Sequence, residues 1–258
     1  MPRVKLPLKL LYLDIETTPL KGTFWNLWPK YIPLNQMQEP TYVLCWGAQW
    51  HGEREIMFSS VKDDGREQMV RRMHALLEEA DAVCHYNGKA FDMKHLNREF
   101  ALYGLNPPSH YSQVDLLSEV KKNFKLPSNK LDYVCRYFGL GGKVKHAGIE
   151  LWYGCMEGNE RDWKIMERYN KQDVKLLPKL YRFMRPWIKD HPNVALYIKD
   201  PTKPTCPKCA STKLHKKGTQ HNTKKASYDR YTCLSCGEPC RSRFQSAKTS
   251  TNVLVRSQ

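Results

Sequence analysis

The sequence predicts a three-layer α/β body with a mixed central sheet, followed by a small separate tail. Three observations carry this. Strand-like runs come first and then alternate with helix-period runs, the order expected of helices packed on a sheet. The stretch Asp200-Pro201-Thr202-Lys203-Pro204 resists both helix and central strand, and so marks a boundary. Beyond it the charge and the cysteine usage change: residues 200–258 hold twelve Lys/Arg against three Asp/Glu, and five of the nine cysteines. The expected domains are therefore 1–199 and 200–258.

The elements of the body follow in order. Leu10 to Glu16 is an apolar run that ends in acids, a buried strand with a polar carboxyl end, and Pro19 closes it. Residues 20–40 read as irregular, rich in prolines and in the rings of Trp25, Trp28 and Tyr31. Tyr42–Trp50 and Glu53–Ser60 are β-rich runs joined at His51-Gly52, a hairpin. Arg66–Glu79 spaces Met69, Val70, Met73, Leu76 and Leu77 as one face of a helix. Asp81–Tyr86 is a short strand, and Phe91–Tyr103 a helix with Phe91, Leu96 and Phe100 inward. Val114–Leu117 reads as a further strand, and Leu131–Phe138 and Arg161–Met184 as helices.

Composition narrows the function. Forty-two Lys+Arg against 26 Asp+Glu give a net charge of +16, which favours polyanions as partners over a merely soluble basic surface. No apolar run approaches the ~20 residues of a membrane helix, so no membrane partner is expected. Met1–Ile15 is basic then apolar, but Lys9 interrupts it and an acidic pair follows, unlike a signal peptide.

The cysteines divide like the charge. Cys45, Cys84, Cys135 and Cys155 sit singly among apolar neighbours and read as buried small hydrophobes. Cys206-x-x-Cys209 and Cys233-x-x-Cys236 are two knuckles separated by 23 residues, the pattern of a four-thiolate zinc ribbon. Cys240 could replace Cys236, and His215 or His221 could stand in for a thiol. Scattered single thiols favour a reducing compartment, cytoplasmic or nucleoid-associated, over a disulfide framework. A ribbon this small has little core, so metal should supply much of its folding free energy. Its spacer interleaves Lys216, Lys217, Lys224, Lys225 and Arg230 with His215, His221, Tyr228 and Tyr231, a mixture suited to phosphates and stacked bases. A solvated hairpin around a structural zinc is the alternative.

The chemistry-bearing residues of the body are acids. Asp14 and Glu16 are two apart on one strand, so both leave the same face and repel unless a cation lies between them. Hard oxygen ligands select Mg²⁺ or Mn²⁺. Asp92 follows a strand and opens a helix, where it could equally be a cap. Tyr169 and Asp173 share one face of a helix, able to converge on one point or simply to be exposed.

Together, Leu13-Asp14-Ile15-Glu16-Thr17, Tyr86-Asn87-Gly88-x-x-Phe91-Asp92 and Tyr169-x-x-x-Asp173 resemble the three exonuclease motifs of the DnaQ-like 3′–5′ exonucleases of ribonuclease-H fold. The tyrosine points to the DEDDy subgroup, and the middle motif is most similar to that of the proofreading domain of family-B DNA polymerases. The motifs stand in the family's order, 78 and 81 residues apart, and the likeness spans residues 9–185. It implies a ribonuclease-H-like fold and two-metal-ion hydrolysis that releases nucleoside 5′-monophosphates from a 3′ end, with single-stranded DNA preferred over RNA. In that scheme Asp14, Glu16 and Asp173 hold one Mg²⁺ or Mn²⁺, Asp14 and Asp92 a second, and Tyr169 with Glu16 orients the attacking water. Residues 19–40 and 141–158 are inserted relative to the family, which leaves substrate contacts there open.

Three secondary candidates follow from the same likeness, and others from the residues themselves. Thr17, Asn87 and Phe91 would line the terminal nucleotide, or be a strand end, a turn residue and a core ring. Trp25, Trp28 and Tyr31 could stack bases or pack as a rim. Asp115 could reach the site from a strand, while His85 and His146 read as satisfied by local hydrogen bonds. Any proofreading would act in trans, beside a polymerase or a replication or repair protein. Competing functions are an exoribonuclease, a non-catalytic nucleic-acid-binding module using the ribbon, and, more remotely, an endonuclease.

Overall fold

The computed structural model describes residues 6–26, 30–143, 148–199, 201–223 and 226–246. Trp28, His146, Asp200, Lys224 and Lys225 lie outside these. The chain forms two compact units, one of Lys9–Tyr181 and one of Met1–Leu8 with Arg182–Gln258.

The larger unit is the α/β body. Its mixed sheet has five strands in the order β5-β4-β1-β6-β7. These are β1 (Leu10–Thr17), β4 (Val43–Trp50), β5 (Met57–Ser60), β6 (Ala82–His85) and β7 (Ser112–Asp115). β1 runs antiparallel to β4 and parallel to β6, so the strand carrying Asp14 and Glu16 lies at the centre. Alternation along β1 sends Leu11, Leu13 and Ile15 to one face, where they meet α1 (Arg66–Glu79) and α2 (Asp92–Leu102) in one apolar core. Tyr12, Asp14 and Glu16 therefore point to the other face. There a second core joins Leu44 and Cys45 of β4 to α5 (Ile149–Met156) and α6 (Glu160–Met184). Helices on both faces of a mixed sheet make the three layers that the sequence predicts.

Local chemistry explains where elements depart from expectation. Val114–Leu117 is not one strand: β7 ends at Asp115, whose carboxylate accepts from the N–H groups of Leu117 and Ser118 and so starts α3 (Leu116–Asn123). Phe91 is not inward. It precedes α2 and is 39% exposed, whereas Leu96 and Phe100 are buried. The insert at 19–40 holds a two-stranded ribbon of β2 (Lys21–Gly22) and β3 (Met37–Glu39), and the 141–158 insert holds α5. α4 covers Leu131–Tyr137. All four single cysteines of the body are buried and free. Among the described residues no helix is long and apolar enough to cross a membrane.

The smaller unit carries a three-stranded antiparallel sheet, order β10-β9-β8, of β8 (Leu214–Asn222), β9 (Ser227–Cys233) and β10 (Pro239–Arg241). Its apolar cluster consists of Cys206, Cys209 and Cys233 with Leu214 and Cys236 against them.

Candidate active site

The site is built where α6 crosses the central strands. Asp14 pairs in register with Gly47 of β4. A side chain at Gly47 would put its Cβ 2.4 Å from Asn170 Oδ1 and 2.9 Å from Val174 Cγ2, so only glycine lets α6 approach this closely. The approach brings Asn170 Nδ2 to donate to Asp14 Oδ2 at 3.0 Å and to the Asp14 carbonyl at 3.2 Å. One turn on, Asp173 reaches the same place. Asp14, Glu16 and Asp173 each offer a carboxylate oxygen, and these oxygens all lie within 4.8 Å of one another.

Tyr169 sits beside them, buried, with its ring edge-on to Trp152 of α5 at 6.1 Å. Its hydroxyl accepts from Lys143 Nζ at 3.2 Å, and the same ammonium forms an ion pair with Asp173. Lys143 comes from the loop before α5, where Gln172 Nε2 of α6 donates to the Gly142 carbonyl at 2.9 Å. Sequence reasoning missed both Lys143 and Asn170. Lys143 lies in a loop without periodicity, and Asn170 is hidden beside a stronger motif residue. An amide buried in a helix next to Tyr169 was the available signal.

The electrostatics are lopsided. Glu99, a fully buried acid elsewhere in the body, is clasped by Arg66 and Arg98 at 2.8 Å each. Asp14, Glu16 and Asp173 share one neighbouring cation, Lys143, among the described residues, while the charge acting on Asp92 is that of Asp115. Burial, then Asp173, Glu16 and Asp92, push Asp14 well above the usual carboxylate range. Burial and Asp173 push Glu16 to about 8. Asp173 is raised by burial although Lys143 pulls it down. Burial works against the ammonium of Lys143, but Asp173 and Tyr169 hold its pKa above the usual lysine value. Asp173 Oδ1 is buried with no hydrogen-bond partner among the described residues. Hard oxygens, surplus negative charge and an unsatisfied carboxylate oxygen are what a divalent cation would satisfy, and the residues fit that group.

Asp92 stands slightly apart. It is buried at the start of α2, and its Oδ1 accepts from the Ile15 N–H at 3.1 Å instead of joining the three-oxygen group. Burial raises its pKa to about 7, and its charge in turn raises Asp14 and Glu16, so it borders the same pocket. The N-cap position of α2 is Phe91, which makes no side-chain cap, and the Asp92 carboxylate accepts from its own N–H. The loop leading to it is pinned from below. Asn87 adopts a left-handed φ of 71°, and the N–H groups of Asn87 and Lys89 donate to the carboxylate of Asp115 at 3.0 and 3.3 Å. His85 Nδ1 accepts from Gly88 N at 3.0 Å, and its ring leaves no room for a Cβ on Gly88. Asp115 thus braces the loop and stays outside the three-oxygen group, although its charge raises Asp92, whereas His85 is satisfied locally, as expected.

The remaining candidates are peripheral. Thr17 is half-buried at the end of β1, and Asn87 and Phe91 are exposed. Trp25 and Tyr31 are 93% and 75% exposed, so they form no packed rim.

In the smaller unit the four Sγ atoms of Cys206, Cys209, Cys233 and Cys236 lie within 4.8 Å of one another. Cys206–Cys236 and Cys209–Cys233 separations are 3.6 and 3.5 Å. These are too long for disulfides and close to the edge of a zinc–thiolate tetrahedron, about 3.8 Å for Zn–S bonds of ~2.3 Å. The cluster fits a zinc ribbon. Cys240 is on β10, and His215 and His221 on β8, all outside the cluster.

A comparison with curated proteins finds no match. The family B DNA polymerase from the hyperthermophilic archaeon Pyrobaculum calidifontis is similar in fold over 70% of this chain, with a TM-score of 0.52 and 19% identity. The chain spans 25% of that polymerase. A family model described as the RNase_H superfamily matches residues 33–185, starting after the strand of Asp14 and Glu16. That match covers more than half of the sequence, and with the sheet order and helix layers above it makes the protein a member of the RNase H superfamily.

Proposed function

We propose that the protein is a metal-dependent 3′–5′ exonuclease that releases nucleoside 5′-monophosphates from nucleic acid, with single-stranded DNA as its favoured substrate. The observation that carries this reading is the convergence of Asp14, Glu16 and Asp173 within 4.8 Å, beside Tyr169 from the same helix as Asp173. Asp14, Glu16 and Asp173 would hold one Mg²⁺ or Mn²⁺ and Asp92, with Asp14, a second; bound ions there would activate water and stabilise the departing 3′ oxygen of a phosphodiester.

The chain's own residues do the positioning. Asn170 fixes the rotamer of Asp14 through its carboxylate oxygen. Trp152 and Lys143 fix the phenol of Tyr169, which orients the attacking water together with Glu16. Lys143 places a positive charge where the phosphate's negative charge must enter a pocket of acids. Asn87 and Phe91, exposed on the loop braced by Asp115, and Thr17 contact the terminal nucleotide. In the tail, Cys206, Cys209, Cys233 and Cys236 bind one structural Zn²⁺, and the basic hairpin adds affinity for the polyanion.

The test is an assay on 3′-labelled and 5′-labelled single-stranded DNA, duplex DNA and RNA with Mn²⁺. The reading expects the 3′ label to leave as a mononucleotide while the 5′-labelled strand shortens one residue at a time, fastest on single-stranded DNA. Internal fragments would replace the reading by an endonuclease, and faster loss of RNA by an exoribonuclease.

A further inference from the structure

We propose that the outer face of α6 is a track for the phosphate backbone of the same nucleic acid, several nucleotides upstream of the one being cleaved; this rests on the nuclease reading above. Lys164, Arg168, Lys171 and Lys175 recur at intervals of three and four residues, so they project within one narrow arc of the helix. Lys164, Arg168 and Lys175 are exposed, and none of the three is in an ion pair among the described residues. Glu160, near Lys164, pairs instead with Lys62 at 2.6 Å.

The four cations open onto a groove of about 350 Å³, with Ile56 and Gln172 as its other walls. Glu167 is the acid in its lining, and it accepts from Lys171 at 2.5 Å, leaving three basic groups unneutralised. Lys171 also lies over the Phe58 ring at 5.8 Å, which holds it at the floor. Like charges one turn apart repel each other, and a surface without a partner usually interleaves acids on such an arc. Here one acid, Glu167, serves four cations, and a chain of negative charges would relieve the repulsion at the other three. From Lys164 to Lys175 the helix rises ~16 Å, enough to face several consecutive phosphates of one strand.

Position connects the groove to the chemistry. Gln172 lines the groove and donates to the Gly142 carbonyl, and the next residue, Lys143, enters the acid pocket. Tyr169 and Asp173 occupy the opposite face of the same helix, whose diameter is only ~10 Å. A strand with its 3′ end among the acids must pass around about half the helix circumference, roughly 15 Å, and so reaches the groove only beyond its third nucleotide.

The experiment uses the full chain with Lys164→Gln, Arg168→Gln, Lys171→Gln and Lys175→Gln combined. Binding of a 5′-labelled single strand of about 20 nucleotides is followed by anisotropy in EDTA over a salt series, and hydrolysis of a trinucleotide is followed in Mn²⁺. The track predicts about 10–100-fold weaker binding of the long strand at low salt and a salt slope smaller by roughly 2–3. The trinucleotide, too short to reach the groove, is hydrolysed at the wild-type rate. Unchanged affinity and slope would overturn the track and leave the face to an acidic protein. An equal loss on both substrates would also overturn it, because the residues would then act through the site or the fold. A wild-type protein that binds the long strand but hydrolyses neither substrate would sink the nuclease reading alone; the track is then judged on the binding comparison.

Discussion

Four carboxylates, three of them beside a single lysine, are a liability that folding tolerates only if something relieves it. Glu16 and Asp92 hold their protons up to about pH 8 and 7 in the folded chain, but release them near 4 when unfolded. A pKa raised by folding contributes stability below the unfolded value, and that contribution is lost as pH rises through the folded value. The metal-free protein should therefore lose thermal stability between about pH 4 and 8. Asp14→Asn should remove part of that slope and raise the melting temperature in EDTA at pH 8 by about 3–10 °C, roughly 1–3 kcal/mol in a body of this size. The same variant should lose hydrolysis and the stabilisation by Mn²⁺; a flat pH profile in a melting experiment would contradict the account. Tyr169→Phe should slow turnover by roughly 10–1000-fold, the scale of lost acid–base assistance, in a single-turnover assay. These five residues were legible because their types and order make a motif. Lys143 and Asn170 were not, since a loop lysine and a helix amide look like ordinary surface and core until the chain folds.

At the scale of elements, the site depends on how closely α6 lies on the sheet. Gly47 faces Asn170 and Val174, and a methyl group there has nowhere to go except by lifting the helix. Gly47→Ala should destabilise the protein by about 1–3 kcal/mol and lower turnover more than substrate affinity, as measured by denaturation and by kcat and KM. Unchanged kinetics would mean that the spacing of α6 from β1 is not what aligns Asp173 with Asp14. The long helices and the central strands were readable from periodicity, because each buries a broad apolar face. The short ones were not. α3 exists because Asp115 turns its carboxylate onto the first free N–H groups, which ended an apparent strand two residues early. α5 falls in an inserted stretch whose apolar residues carry too few turns to show a period, yet it supplies the ring that backs Tyr169.

For the whole molecule, the question is what a basic tail adds to an acidic pocket. The spacing of the cysteines announced the thiolate cluster, because two knuckles are a local signal that needs no tertiary knowledge. The basic face of α6 escaped notice for the opposite reason: four cations spread over a 25-residue helix look like solvation until the groove beside them is seen. Deleting residues 201–258 should weaken DNA binding and flatten its salt dependence while leaving cleavage of a trinucleotide intact. If neither affinity nor slope moves, the ribbon serves another partner. If Asp14, Glu16 and Asp173 gather to hold a divalent cation, a crystal soaked in Mn²⁺ will show it there. An anomalous peak is expected within ~2.2 Å of an oxygen from each of the three, with Lys143 turned aside from Asp173. A pocket without that peak, its lysine still paired to Asp173 at saturating manganese, would contradict it.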